Sequence, residues 1–415
     1  MAAVKHSKSK DDIKILLLEG IHQNAIKELN ASGYHNVELL PGALAEEELK
    51  EKIADVYMVG IRSQTQLKAS VLEAAKRLFC VGCFSIGTNQ VDLKAARSYG
   101  IPVFNAPYSN TRSVAELVIG EIVMLMRGIF PKSQGAHVGT WTKSAANSFE
   151  LRGKTLGIVG YGHIGTQVSI LAEAMGMNVV FFDIVKKLAL GNAKACGTLD
   201  ELLEISDVVT LHVPQTPSTR DMMGEAQFAK MKQGSYFLNA ARGTVVQIDS
   251  LAAALKSGRL LGAAIDVFPV EPGSNKEKFV SPLQGLDNVI LTPHIGGSTK
   301  EAQENIGTEV AQKLTDFSDN GSTIGAVNFP QAALPVHRAC TRFLHIHRNV
   351  PGVMRQVNDV LSRHGLNIAA QYLQTDPELG YVVVDVDGEV DPEVLRRELR
   401  AVDGTHKVRF LYPES

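Results

Sequence analysis

The chain has 415 residues, 45% hydrophobic and 21% charged, with 42 Lys and Arg against 44 Asp and Glu for a net charge of −2. This is the make-up of a folded protein of about three domains, and it excludes a disordered, collagenous or coiled-coil chain. No basic excess exists to coat a nucleic acid, and no apolar run nears the ~18 residues of a membrane span. The opening MAAVKHSKSKDD has charge but no apolar signal stretch, so a cytoplasmic protein is expected.

In chain order, residues 13–18, 57–61, 79–84 and 101–104 read as apolar strands, with helical spacing between them at 45–54 and 91–99. Strand–helix alternation predicts a parallel sheet covered by helices. Cys80 and Cys83 form a C-x-x-C, but they lie inside the apolar run 78–84. They are expected to pack in the core as small hydrophobes rather than to act as a redox pair.

Ser113-x-x-Glu116 predicts a capping box for a helix over 114–127. From residue 154 the pattern restarts, with strands expected at 155–159, 179–182, 208–213, 236–240, 264–267 and 289–291 and a second capping box at Thr198-x-x-Glu201. Six strands with crossovers are the content of a doubly wound dinucleotide fold. Ser298-x-x-Glu301 predicts a helix over 299–317, and 318–335 reads as a linker. Residues 342–412 give the order βαββαβ, with a first helix over 351–364 carrying Pro at N1 and a second over 392–402. That order is the split βαβ, ferredoxin-like motif, and its small size suits regulation or assembly better than catalysis.

The strongest chemical signal is Gly160-Tyr161-Gly162-His163-Ile164-Gly165, which follows a strand and opens a helix. Gly160 suits a tight turn, Gly162 the approach of a pyrophosphate, and Gly165 close helix–strand packing. Asp183, 18 residues beyond Gly165 at the next strand's end, is the acid expected on the ribose hydroxyls, which favours NAD over NADP. Arg242, Glu271 and His294 each stand just past an apolar strand, at the edge where such sheets bind ligands. An imidazole can exchange a hydroxyl proton as hydride leaves, a carboxylate can fix its tautomer, and a guanidinium can grip a substrate carboxylate in a bidentate pair. These residues alone specify a dehydrogenase of a small 2-hydroxy acid.

The motifs GYGHIGTQ (160–167), NAARGTVV (239–246), DVFPVEP (266–272) and TPHIGGST (292–299) resemble those of the D-isomer-specific 2-hydroxyacid dehydrogenases. FSIGTNQVD (84–92) and NAPYSNTRSVAELVIGE (105–121) match as well, and LHIHRNVPGV (344–353) with GLNIAAQYLQ (365–374) resembles an ACT domain. The resemblance implies a flavodoxin-like α/β substrate domain (1–110 and 297–335), a Rossmann NAD domain inserted in it (111–296), and a C-terminal ferredoxin-like ACT domain (338–415). A cleft closing between the first two is expected to exclude water.

The same likeness implies oxidation of D-3-phosphoglycerate to 3-phosphohydroxypyruvate in serine synthesis, with some reduction of 2-oxoglutarate. It implies Arg242 as anchor of the substrate carboxylate and carbonyl, and Glu271 with His294 as the acid/base pair. Cofactor contacts are implied at Gly160 through Gly165, Asp183, His212, Ala240, Ala241, Arg242, Asp266 and His294. Substrate contacts are implied at Arg62, Ser63, Asn110 and Lys143. In serine-regulated relatives the positions matching His347, Asn349 and Asn367 bind the effector across an ACT–ACT interface, so L-serine is the expected effector and a homotetramer the expected assembly. Trp141 matches a residue that packs into a neighbouring subunit. His345 and His347 share a strand face, but two ligands do not make a metal site, and none is expected.

One departure stands out. Relatives often carry a second arginine where this chain has Gln64, which weakens a phosphate grip by roughly 1–2 kcal/mol. A 2-oxoglutarate, glyoxylate or hydroxypyruvate reductase therefore remains an alternative, as does, more remotely, an NAD-gated binding protein on the same fold.

Overall fold

The computed structural model describes residues 9–272, 277–335, 340–388 and 391–411. The first eight residues, the expected boundary at 338 and Tyr412, expected to end the last strand, lie outside that range. Two compact units result: Met1–Ser109 with Gln303–Ser415, and Asn110–Ala302.

In the first unit the elements run β1 (Ile15–Leu17), α1 (Gln23–Ala31), β2 (Val37–Leu39), α2 (Glu46–Ile53), β3 (Met58–Ile61), α3 (Ala69–Ala74), β4 (Cys80–Cys83), α4 (Leu93–Ser98) and β5 (Val103–Asn105). All pairings are parallel, in the order β2-β1-β3-β4-β5. This is the flavodoxin-like order, whose switch point lies between β1 and β3. Successive residues alternate between the sheet's two cores: Ile15 and Leu17 join one, Leu16 the other. Cys80 and Cys83 likewise fall into opposite cores. Burial pushes both thiols up to about 12, so they pack and do not react. The half-exposed β2 is too short to have been read from the sequence.

The second unit holds α5 (Thr111–Arg127), α6 (Ile129–His137), β6 (Thr155–Val159), α7 (His163–Ala174), β7 (Asn178–Phe182), β8 (Lys194–Ala195), α8 (Leu199–Ile205), β9 (Val208–Leu211), α9 (Glu225–Lys230), β10 (Ser235–Asn239), α10 (Ile248–Lys256), β11 (Leu260–Ile265) and β12 (Val289–Leu291). Its parallel sheet runs β12-β11-β10-β9-β6-β7-β8, the doubly wound dinucleotide order with an added outer strand. The expected box at Ser113 does not form. α5 starts at Thr111, so Ser113 lies in its first turn and bonds Thr299 Oγ1 at 2.7 Å. Glu116 turns to Arg112 instead. At α8 Thr198 does cap, accepting from Glu201 N, while Glu201 reaches back to Gly197 N.

α11 (Lys300–Asp319) follows, capped by Thr299 Oγ1 on Ala302 N, one residue after the Ser298 expected there. The segment read as a linker is built into the first unit. Ala326 pairs antiparallel with Phe104, and the buried Asn328 side chain bonds Val103 N and Ile101 O. It covers the outer edge of β5, which would otherwise expose unpaired backbone.

The last elements are β13 (Thr341–Arg348), α12 (Val353–Arg363), β14 (Asn367–Thr375), β15 (Leu379–Asp387), α13 (Pro392–Arg400) and β16 (Thr405–Leu411), an antiparallel sheet in the order β14-β15-β13-β16. α12 begins at Val353 behind left-handed Gly352 (φ 92°), so Pro351 precedes the helix rather than occupying N1. Phe343, Val382 and Val384 face the two helices. Leu344, Ile346, Tyr381 and Val383, on the other face, join the core of the first sheet with Phe79 and Phe317. The two central strands, β13 and β15, therefore have both faces buried, whereas the edge strand β14 stays largely exposed. Lys407 Nζ bonds Leu78 O, and Arg97 pairs with Asp376, across the same junction. Among the described residues no helix is long and apolar enough to cross a membrane.

Candidate active site

At the C-terminal end of β6 the chain turns through Gly160, whose φ of 93° is left-handed. A Cβ there would lie 2.5 Å from His212 O, so only glycine fits. A Cβ on Gly165 would lie 2.3 Å from Gly160 O, which is the close contact of α7 on its own turn. Gly162 is different: nothing lies within 4 Å of its would-be Cβ. Open space at the N-terminus of a 12-residue helix is what a pyrophosphate needs.

Asp183 stands at the end of β7, its Oδ2 accepting from Tyr161 N at 2.8 Å and its Oδ1 from Val185 N. Each oxygen keeps a lone pair for a ribose hydroxyl. Tyr161 offers only its backbone, because its ring stacks on Phe181 at 3.8 Å and its hydroxyl bonds Ser169 inside the core. His163 is exposed on the first turn of α7, and Ile164 is half-buried beside it. His212, at the end of β9, bonds Thr210 through Nε2 and leaves a buried Nδ1 without a partner. Desolvation lowers its pKa to about 3, so the ring is neutral near pH 7. These residues fit a dinucleotide.

The turn after β10 carries Ala240, Ala241 and Arg242. Buried Asn239 clamps it, accepting from Ala241 N and donating to Arg242 O, both at 3.0 Å. A Cβ on Gly243 would sit 1.9 Å from the Phe268 carbonyl carbon, so this turn presses directly on the one that carries Glu271. Glu271 Oε1 accepts from Phe268 N at 3.0 Å, and its Oε2 meets His294 Nδ1 at 2.8 Å.

His294 holds a left-handed backbone (φ 54°), uncommon for a non-glycine residue. Asp266, 1% exposed, sustains it. Its carbonyl accepts from His294 N, and its carboxylate from Thr292 Oγ1, Ile295 N and Gly296 N. Asp266 is one of the cofactor contacts that the family resemblance implies. Within the chain its carboxylate bonds all go to the loop that carries His294.

The hydrogen bond to Glu271 raises the His294 pKa above its ordinary value, against the opposing pull of burial. For Glu271, burial pulls upward but is outweighed by the His294 and Phe268 bonds and by the nearby cations, so the carboxylate stands below its usual range. Burial lowers Arg242, partly offset by Glu271, and a guanidinium keeps its charge regardless. With Nδ1 committed to Glu271, the imidazole has Nε2 left to exchange a proton.

Asn110 precedes α5, its Oδ1 buried without a partner and its Nδ2 2.5 Å from a would-be Cβ on Gly297. Lys143 is exposed in the irregular segment after α6, as is Trp141 at 87%. Arg62 and Ser63 follow β3 in the other unit. In the ferredoxin-like sheet, His347 pairs with Gly380 and Asn349 bonds Asp376 O, so these two lie at one end. Asn367 pairs with Asp387 at the other end. The span from Gly380 to Asp387 at ~3.4 Å per residue is about 24 Å, so one chain does not bring all three together.

The sequence reading missed Glu121. It lies on the apolar face of α5, 3% exposed, with Oε1 unpartnered. Burial and the charge of Asp266 push its carboxyl up to about 8. A lone acid among Val114, Val118, Ile122 and Leu125 was the available signal.

Residues 119–296 match the family model "D-isomer specific 2-hydroxyacid dehydrogenase, NAD binding domain", and 343–407 match an "AHAS small subunit-like ACT domain". The chain is 59% identical over 408 residues to D-3-phosphoglycerate dehydrogenase of Haemophilus influenzae, covering 98% of this chain and 99% of that one. It is 57% identical over 409 residues to the protein of that name from Escherichia coli K12, covering 98% and 100%. Among solved structures it is similar to D-lactate dehydrogenase from Aquifex aeolicus complexed with NAD and lactic acid, with a TM-score of 0.67, 28% identity and coverage of 77% and 100%.

Proposed function

Because the chain belongs to the D-isomer-specific 2-hydroxyacid dehydrogenase family, we propose that it oxidises D-3-phosphoglycerate to 3-phosphohydroxypyruvate with NAD, as the first step of serine synthesis. The observation that carries the reading is the 2.8 Å contact of His294 Nδ1 with Glu271 Oε2, beside the Arg242 turn. When bound, NAD supplies the hydride acceptor. The backbone at Gly160 to Gly165, with Asp183, His212, Ala240 and Ala241, is assigned to hold it.

Arg242 grips the substrate carboxylate and polarises the carbon–oxygen bond at the reacting centre. His294 Nε2 takes the hydroxyl proton as the carbonyl forms and returns it in the reverse direction, while ionised Glu271 stabilises the imidazolium. Arg62, Ser63, Asn110 and Lys143 are assigned to the remainder of the substrate, with Arg62 and Ser63 on its phosphate. We assign residues 1–110 and 297–335 to substrate binding, 111–296 to NAD and 338–415 to regulation. We also assign the enzyme to the cytoplasm, to a homotetramer and to feedback inhibition by L-serine, through His347 and Asn349 of one chain and Asn367 of another.

An NADH absorbance assay tests the reading. Turnover with phosphohydroxypyruvate is expected, and none with either it or 2-oxoglutarate rejects the assignment. Gln64 favours a second reading, a reductase of unphosphorylated 2-oxo acids with 2-oxoglutarate among them. Comparing kcat/KM across phosphohydroxypyruvate, 2-oxoglutarate, glyoxylate and hydroxypyruvate separates the two. Titrating L-serine decides feedback: an unchanged rate up to millimolar serine excludes it.

A further inference from the structure

Glu19 stands just past β1, next to the switch point of the first sheet, where chain connections diverge to opposite faces and ligands bind. It is 8% exposed and holds a left-handed backbone, with φ 63°. A non-glycine residue keeps that conformation only where its surroundings over-determine it. Those surroundings are the loop after β3. Glu19 Oε1 accepts from Arg62 N at 3.1 Å and from Thr65 N at 2.8 Å, and Oε2 accepts from Gln64 N at 2.9 Å. The Glu19 carbonyl accepts from Arg62 Nη1 at 3.4 Å. From the other side Gln90, 4% exposed, donates its Nε2 to Arg62 O at 2.6 Å.

Three of the four amides in 62–65 therefore already serve one carboxylate. The loop cannot grip an anion as a nest of backbone N–H groups, because only the Ser63 amide is not taken by Glu19. What it can present is the Arg62 guanidinium and the exposed Ser63, and their geometry is whatever Glu19 and Gln90 impose. We infer that Glu19, backed by Gln90, is the positioning residue that sets how loop 61–65 receives the substrate phosphate. The inference rests on the phosphate role given above to Arg62 and Ser63.

Phosphohydroxypyruvate and hydroxypyruvate differ only in the phosphate, so the ratio of their kcat/KM values reads the grip. It also cancels any loss of active enzyme. In Glu19→Gln one carboxylate oxygen becomes an NH2 that cannot accept from a backbone amide. The ratio is expected to fall about tenfold or more, since small misplacements of a clamp cost up to ~10²-fold. The loss should fall on KM for the phosphorylated substrate, with KM for NADH unchanged. Gln90→Leu, which keeps the side-chain bulk, is expected to shift the ratio the same way by a smaller factor, and it carries the test if Glu19→Gln does not fold.

An unchanged ratio in the folded variant, or equal losses on both substrates, overturns the inference and leaves Glu19 a purely structural residue. A wild type that does not prefer the phosphorylated substrate overturns the assignment of the loop itself, and this inference with it. Wild-type preference retained in Glu19→Gln overturns only the role of Glu19.

Discussion

At the end of β12, His294 is half in solvent, with a carboxylate on Nδ1; in β13, His345 is wholly buried, with only Thr405 and a distant carbonyl on Nε2 and nothing on Nδ1. The acid partner raises the first pKa. For the second, burial, with help from the charges of His347 and His406, lowers the pKa to about 4. The same side chain is thus poised to exchange protons in one region and kept neutral in the other. The difference teaches that burial without an acid partner keeps a histidine neutral, whereas a carboxylate on Nδ1 favours its protonated form even against burial.

The linkage follows opposite signs. The bond that His294 Nδ1 donates to Glu271 stabilises the fold fully below the unfolded His294 value, and that contribution is lost as pH rises through the raised folded one. His345 binds its proton more readily in the unfolded chain. It therefore costs stability as pH falls below about 6.5, until the folded group protonates near 4.

His294→Asn should break the comparison most severely, lowering kcat by ~10²–10⁴-fold. A variant that keeps wild-type rate and pH profile contradicts the role of His294. Next in size, urea denaturation of the wild type should lose on the order of 3 kcal/mol between pH 7 and pH 4 through His345 alone. His345→Gln should lose that much less over the same range, and parallel pH dependences of the two proteins refute the buried-neutral assignment.

Glu271→Gln is expected to lower kcat at least about tenfold and to move the His294 limb of the rate profile to lower pH, in both reaction directions. For hydroxy-acid oxidation, which needs neutral His294, the rising limb moves down. For keto-acid reduction, which needs it protonated, the falling limb does. A limb that stays in place removes Glu271 as the cause of the shift. Gly162→Ala should act least on the protein itself, changing stability by less than about 1 kcal/mol, because its Cβ meets nothing. Its KM for NADH should nevertheless rise, and calorimetric titration showing wild-type NADH affinity would mean the open space is not where the pyrophosphate sits.

Much of this site was legible because its signals are local. The spacing of Gly160, Gly162 and Gly165 after an apolar strand, and the placing of Arg242, Glu271 and His294 past strand ends, follow from turn and strand geometry. Glu19 and Glu121 gave weaker signals. A single acid after one strand does not announce that it will collect amides from the loop after another, 43 residues on. Ser113 had the spacing of a cap, but the helix begins earlier and Thr299, 186 residues away, is its partner.

The amino-acid sequence alone determined a first parallel sheet, a doubly wound second sheet and the ferredoxin-like order, because hydrophobic period and glycine punctuation act over a few residues at a time. It determined the residue types of the dehydrogenase chemistry for the same reason. Only tertiary structure decided that residues 320–335 seal an edge of the first sheet, that β13 and β15 bury both faces, and that Asp266 holds His294 in a left-handed turn. Each of these depends on groups distant in the chain meeting in space. Burial, backbone strain and pKa are properties of those meetings and not of any one residue.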